Sequence, residues 1–170
     1  MPYRKAIIEK AKKELESSDV LSNLILLRTL AALDAPLDKK EIQKKTEMYL
    51  KEYTPETQFN GTLLRYLFLI SEVYKCYGIQ LQPNKKQVLS SLLLDYSKTS
   101  EFNSIFELYW FAKINTNFSL NKNLYPELLT KTQEFKNADG GYMEARLGGK
   151  TSIVATACGI AIVVEFEDRK

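Results

Sequence analysis

Three charged side chains, Arg28, Arg65 and Glu107, interrupt stretches that are otherwise apolar with helical spacing. Arg65 and Glu107 stand 42 residues apart, close to the length of a repeat described below. Neighbouring helices would then bring them together. A guanidinium without a partner is expensive to bury, so the first reading is a structural bridge between repeats. The second reading joins Arg28 with Arg65 around an anionic ligand, a diphosphate or a carboxylate, on a concave surface. Aromatic residues accompany these charges: Tyr66, Tyr109 and Trp110, with Phe68, Tyr74, Phe111 and Tyr142. Such rings can line an apolar cavity or hold a cation against their π faces. At helical spacing core is the plainer reading.

The acids Glu72, Glu107, Asp139 and Glu144 are the candidates for carboxylate chemistry. Glycoside hydrolysis needs two such groups about 5–10 Å apart. Nothing in the sequence pairs these four, and solvated or salt-bridged carboxylates are the plainer reading. Histidine is absent from the chain. That removes the commonest metal ligand and the usual general base. No catalytic residue, metal ligand or cofactor is assigned.

The elements that would position these residues are helices. At 170 residues, with 45% apolar and 26% charged, the chain suits one globular domain with a sizeable core. Gly (7) and Pro (5) are too scarce for a many-stranded β fold. A net charge of +3 argues against a nucleic-acid partner. The charged start, with Arg4, Lys5, Lys10, Lys12 and Lys13 against Glu9, Glu14 and Glu16, reads as the solvated face of a first helix. Ile7, Ile8, Ala11 and Leu15 form its other side.

Further helices are expected from Ser18-Asp19, from a capping box at Asp38–Glu41, and from Asn60 or Thr62 to a stop at Gly78. Others open at Pro83-Asn84, at Asn103, with Pro126 in a first turn, and at Thr151-Ser152. They alternate. The odd helices are amphipathic; the even ones are apolar nearly all round, which predicts burial on most sides. The even helices begin near 19, 60, 103 and 151, so a helical hairpin repeats every 41 to 48 residues. The hairpins cover 3–33, 38–77, 84–116 and 123–166 of one α/α-repeat domain.

The approaches to the even helices are alike: Gln58-Phe59-Asn60, Glu101-Phe102-Asn103 and Gly140-Gly141-Tyr142. The last repeat, Gln133 to Phe166, carries a Gln, an Asp139-Gly-Gly-Tyr142 turn, a small polar cap and an apolar helix. This layout resembles the repeat of the terpenoid cyclases and protein prenyltransferase β-subunits, which are α/α toroids. The resemblance implies apolar helices inside, amphipathic ones outside, and an aromatic-lined concave face. An open solenoid of the armadillo or HEAT kind is the alternative. The family's catalytic motifs are missing here: there is no Asp-x-Asp-Asp, no Asp-Asp-x-x-Asp, and no His for a zinc site. The Cys-Gly-Glu-Gln of the related thioester domains is missing too.

The expectation is therefore an all-α domain of about eight helices in a toroid-like arc or half-toroid. It would act as a non-catalytic binding or scaffold protein. The rival is a small cyclase-like or prenyl-transfer enzyme whose site another chain completes. The expected ligand-binding set is Arg28, Arg65, Tyr66, Glu107, Tyr109, Trp110, Asp139 and Tyr142. The loop 137–150, with four glycines, would form the mouth. The family's toroids have more hairpins than the four here, so a homodimer or a partner protein would cover the last apolar helix. An isoprenoid or another apolar molecule would be the ligand.

The start, MPYRKAII, has no apolar signal core, and the run 153–164 is too short to span a bilayer. A cytoplasmic location follows as an expectation. Cys76 and Cys158 sit in apolar runs and read as buried, reduced thiols.

Overall fold

The computed structural model describes residues 2–15, 19–146 and 148–167. Among them are eight α-helices: α1 (Pro2–Glu14), α2 (Val20–Ala32), α3 (Lys39–Leu50), α4 (Gly61–Tyr77), α5 (Pro83–Thr99), α6 (Ile105–Asn117), α7 (Tyr125–Gln133) and α8 (Ile153–Glu167). A 3-10 turn, Lys122–Leu124, leads into α7.

Local chemistry sets the boundaries. Asp19 caps α2 by accepting from the Ser22 N–H at 3.0 Å, and Asn60 caps α4 by accepting from the Leu63 N–H at 3.0 Å. Asp38 caps α3 through the Lys40 N–H at 2.8 Å. α4 ends at Gly78, whose φ of +58° is the left-handed conformation that glycine tolerates best. The cap of α6 is Ser104, one residue later than the sequence suggests. Its Oγ accepts from the Glu107 N–H at 3.2 Å, while the Glu107 carboxylate turns back to accept from the Asn103 N–H at 3.0 Å.

Each odd helix packs on the even helix that follows it. The even helices contact one another in chain order: α2 with α4, α4 with α6, α6 with α8. A small apolar cluster of Ala11, Leu30 and Ala35 joins α1 to α2, and one larger core runs from α2 to α8. A row of rings threads it, from Tyr53–Phe59 (6.1 Å between centroids) through Phe59–Tyr96 (5.3 Å) and Tyr96–Phe102 (5.7 Å) to Phe102–Phe111 (5.3 Å). Edge and tilted contacts of this kind add to simple area burial. At the far end Tyr125 of α7 stacks on Phe166 of α8 at 4.4 Å.

Two expectations fail. Cys76 is exposed, because it follows the buried Tyr74 onto the solvent side of α4. Only Cys158 is partly covered, and burial raises its thiol pKa. The second failure concerns the even helices. Burial on most sides holds for α4, which hides eight residues, but not for α8. Ile153, Val154, Ile160 and Val164 of α8 are 89, 60, 52 and 54% exposed.

Candidate functional site

Polar links define the open side of the even helices. Arg28 of α2 pairs with Glu72 of α4 at 3.4 Å. The Asn117 side-chain amide on α6 donates to Glu72 at 2.8 Å and to the Ser71 hydroxyl at 3.1 Å. Lys113 of α6 pairs with Glu165 of α8 at 2.5 Å, each about one-sixth exposed (17% and 15%). The chain of contacts therefore crosses all four even helices. The partly exposed residues Phe106, Tyr109, Trp110, Lys113 and Asn117 of α6 recur at i, i+3, i+4, i+7 and i+11, one side of a helix. The Lys113 ammonium also lies 5.8 Å from the Tyr109 ring centre. Burial raises the Tyr109 hydroxyl pKa, so that group stays protonated at neutral pH.

Toward the N-terminal ends of these helices the same face opens into a cleft of about 430 Å³. Leu21, Asn60, Gly61, Thr62, Arg65, Tyr66, Glu107 and Trp110 line it. Four residues expected from sequence, Arg65, Tyr66, Glu107 and Trp110, thus share one site. The Arg65–Glu107 bridge does not form. Glu107 is occupied at the start of α6, and its carboxylate reaches the first turn of α4: a Cβ on Gly61 would lie 2.9 Å from its Oε1. The carboxylate so faces two helix N-termini, where the helix dipole favours negative charge. Arg65 is exposed and makes no ion pair or hydrogen bond among the described residues.

Arg28 does not join Arg65. Its partner Glu72 lies seven residues further along α4, about 10 Å of helix rise. The same geometry separates the acids. Glu107 sits beside Gly61 and Glu72 lies eleven residues on, about 16 Å along the helix, too far for a two-carboxylate mechanism. Among the described residues no group of three or more Cys, Asp or Glu is arranged to hold a metal.

Asp139 and Tyr142 act in the loop's own architecture. The Asp139 carboxylate accepts from the Thr151 hydroxyl at 2.6 Å and from the Gly141 N–H at 2.9 Å, and these bonds hold its pKa below the usual range. The Tyr142 N–H donates to Thr156 at 3.0 Å, and the Tyr142 ring lies flat against Gly159 of α8. A Cβ on Gly159 would come within 2.5 Å of that ring. The Ile105 N–H donates to the Glu144 carbonyl at 3.0 Å, tying the loop to the start of α6. Arg146 fastens it further, with Glu101 at 3.2 Å and Glu134 at 3.0 Å. The Asp-Gly-Gly-Tyr turn therefore couples the loop to α6 and α8, and Asp139 and Tyr142 are not in the cleft.

No family model, curated protein or solved structure matches this chain.

Lys113, Asn117 and Glu165 were not singled out from the sequence. Lys113 and Glu165 are both charges within apolar helices, but their separation of 52 residues exceeds the repeat of 41 to 48, so spacing alone does not pair them.

Proposed function

We propose that the chain is a non-catalytic helical-repeat binding protein whose four hairpins form a toroid-like arc. Its ligand is an apolar molecule carrying an anionic group. The ligand lies on the aromatic side of the even helices, over Tyr66 and Trp110, with its anionic end at Arg65. The observation that carries this reading is Arg65: an exposed guanidinium without a partner among the described residues, in a cleft of partly exposed rings. The cleft sets these rings beside the polar groups of Asn60, Thr62, Arg65 and Glu107, and such groups fix the orientation of a bound small molecule. The Arg28–Glu72–Asn117 and Lys113–Glu165 contacts hold the four helices in place beneath it. Both cysteines are free thiols, which suits a reducing, cytoplasmic setting.

Trp110 is the single tryptophan of the chain, so its fluorescence reports this cleft directly. Titration with an isoprenoid diphosphate is expected to give a saturable change in its emission. Arg65→Ala should weaken that titration while leaving a titration with the parent isoprenoid alcohol unchanged. No emission change with either compound contradicts the proposal.

A further inference from the structure

The outward face of α8 lies apart from that cleft and calls for a different occupant. On α8 the buried residues are Ala155, Gly159, Ile162 and Phe166, spaced 4, 3 and 4. Ile153, Ala157, Ile160 and Val164 repeat the same spacing on the opposite side of the helix and are all exposed. α8 is thus apolar on two faces, and the inner one alone is packed, against α6 and α7. Glu165 and Cys158 occupy the shoulder toward α6 and Thr156 the shoulder toward the loop, so the outward row is apolar from Ile153 to Val164.

We infer that this row is the contact surface of a homodimer in which α8 packs antiparallel on α8 of a second copy. The row reads the same in both directions. In one antiparallel register Ile153 meets Val164 of the second copy, and Ala157 meets Ile160. Large residues then face large ones at the ends, and a methyl group faces a branched chain in the middle, as interdigitated helices require. A two-fold interface must be self-complementary in this manner. Charge favours the same antiparallel direction. Lys150, three residues before the helix, and Glu167, its last residue, are both exposed and bound the row at opposite ends. Lys150 lies in the loop that enters α8 and Glu167 closes the helix, so antiparallel packing brings each Glu167 toward the end of the row where the second copy's Lys150 lies. A parallel arrangement would set Lys against Lys and Glu against Glu. The row from 153 to 164 is only about 16 Å long, so dimerisation is expected to depend on concentration over an accessible range.

The inference does not rest on ligand binding in the cleft, and its test is separate. Sedimentation velocity of the full chain over a concentration series is expected to show a monomer–dimer equilibrium. Ile160→Glu, at an exposed position, should weaken the dimer roughly tenfold or more while far-UV circular dichroism stays unchanged. Ile153→Ser, at the most exposed site, guards against a folding defect in the first variant and should act in the same direction. Lys150→Glu should weaken the dimer, and adding Glu167→Lys should restore it. A wild-type chain that stays monomeric throughout overturns the inference. So does a dimer indifferent to both Ile160→Glu and Ile153→Ser. A double charge reversal as weak as the single one overturns the antiparallel direction.

Discussion

α6 and α8 are both apolar helices with a similar place in their hairpins, yet their surroundings differ. α6 has α4 on one side and α8 on the other, and Ile105, Leu108, Phe111 and Ile114 are entirely buried. α8 has α6 and α7 on its inner side, and its outer row stays open among the described residues. Apolar composition is the same statement in both sequences. Position in the row of even helices decides whether it becomes core or surface. The same side-chain types are thus worth several kcal/mol in folding on one helix and almost nothing in the isolated fold on the other.

The sharpest way to break this comparison is to truncate one large residue on each helix. Phe111 is fully buried against Phe102 at 5.3 Å and Tyr96 at 6.3 Å. Phe111→Ala is expected to cost about 3–5 kcal/mol in chemical denaturation. Ile160→Ala, in dilute solution, should change stability by no more than about 0.5 kcal/mol. Equal losses at the two sites would mean that the outer face of α8 is packed within the monomer.

A second substitution probes the inner face of α8. Gly159→Ala places a methyl group 2.5 Å from the Tyr142 ring. The ring belongs to a loop bonded to Thr156, and it has little freedom to retreat. A loss of about 1–3 kcal/mol is expected, typical of overpacking. Tyr142→Ala together with Gly159→Ala should then lose less than the sum of the two single changes, because the clash disappears with the ring. Strict additivity would contradict the contact.

The smallest expected effect concerns pH. The Thr151 hydroxyl and Gly141 N–H hold the Asp139 carboxyl below its usual value of about 3.9. A depressed carboxylate pKa contributes stability above the unfolded value, and this is lost as pH falls through the folded one. Melting temperatures from pH 6 downward should therefore fall more steeply for the wild type than for Asp139→Asn, with the gap closing below about pH 4. Parallel profiles would show that the turn gains nothing from the charge.

Much of the fold was legible in the sequence because it rests on local signals. Asp19, Asn60 and Gly78 cap or stop their helices where capping chemistry indicates. The alternation of amphipathic and apolar helices anticipated which ones touch. Pairing of side chains across helices was harder to read. Arg65 and Glu107 do reach one cleft, but Glu107 is claimed by its own helix start, a local bond that outcompetes a bridge to an exposed guanidinium. Arg28 finds Glu72, a partner the spacing did not single out. Asp139 and Tyr142 looked like a binding mouth because glycine-rich loops often are one. The close approach of Gly141 to Thr151, and of Gly159 to Tyr142, gives those residues a packing role that only the assembled geometry reveals. The exposed row on α8 was hidden by the opposite cause: an apolar helix reads as buried until its neighbours are counted.

The most direct test is backbone hydrogen exchange followed by mass spectrometry at low and high protein concentration. The account predicts that peptides from α4 and α6 are protected equally at both, since their apolar sides are covered within one chain. Peptides from α8 should gain protection at high concentration, as the outer row becomes covered by the second copy. Protection of α8 that is unchanged by concentration would contradict the account.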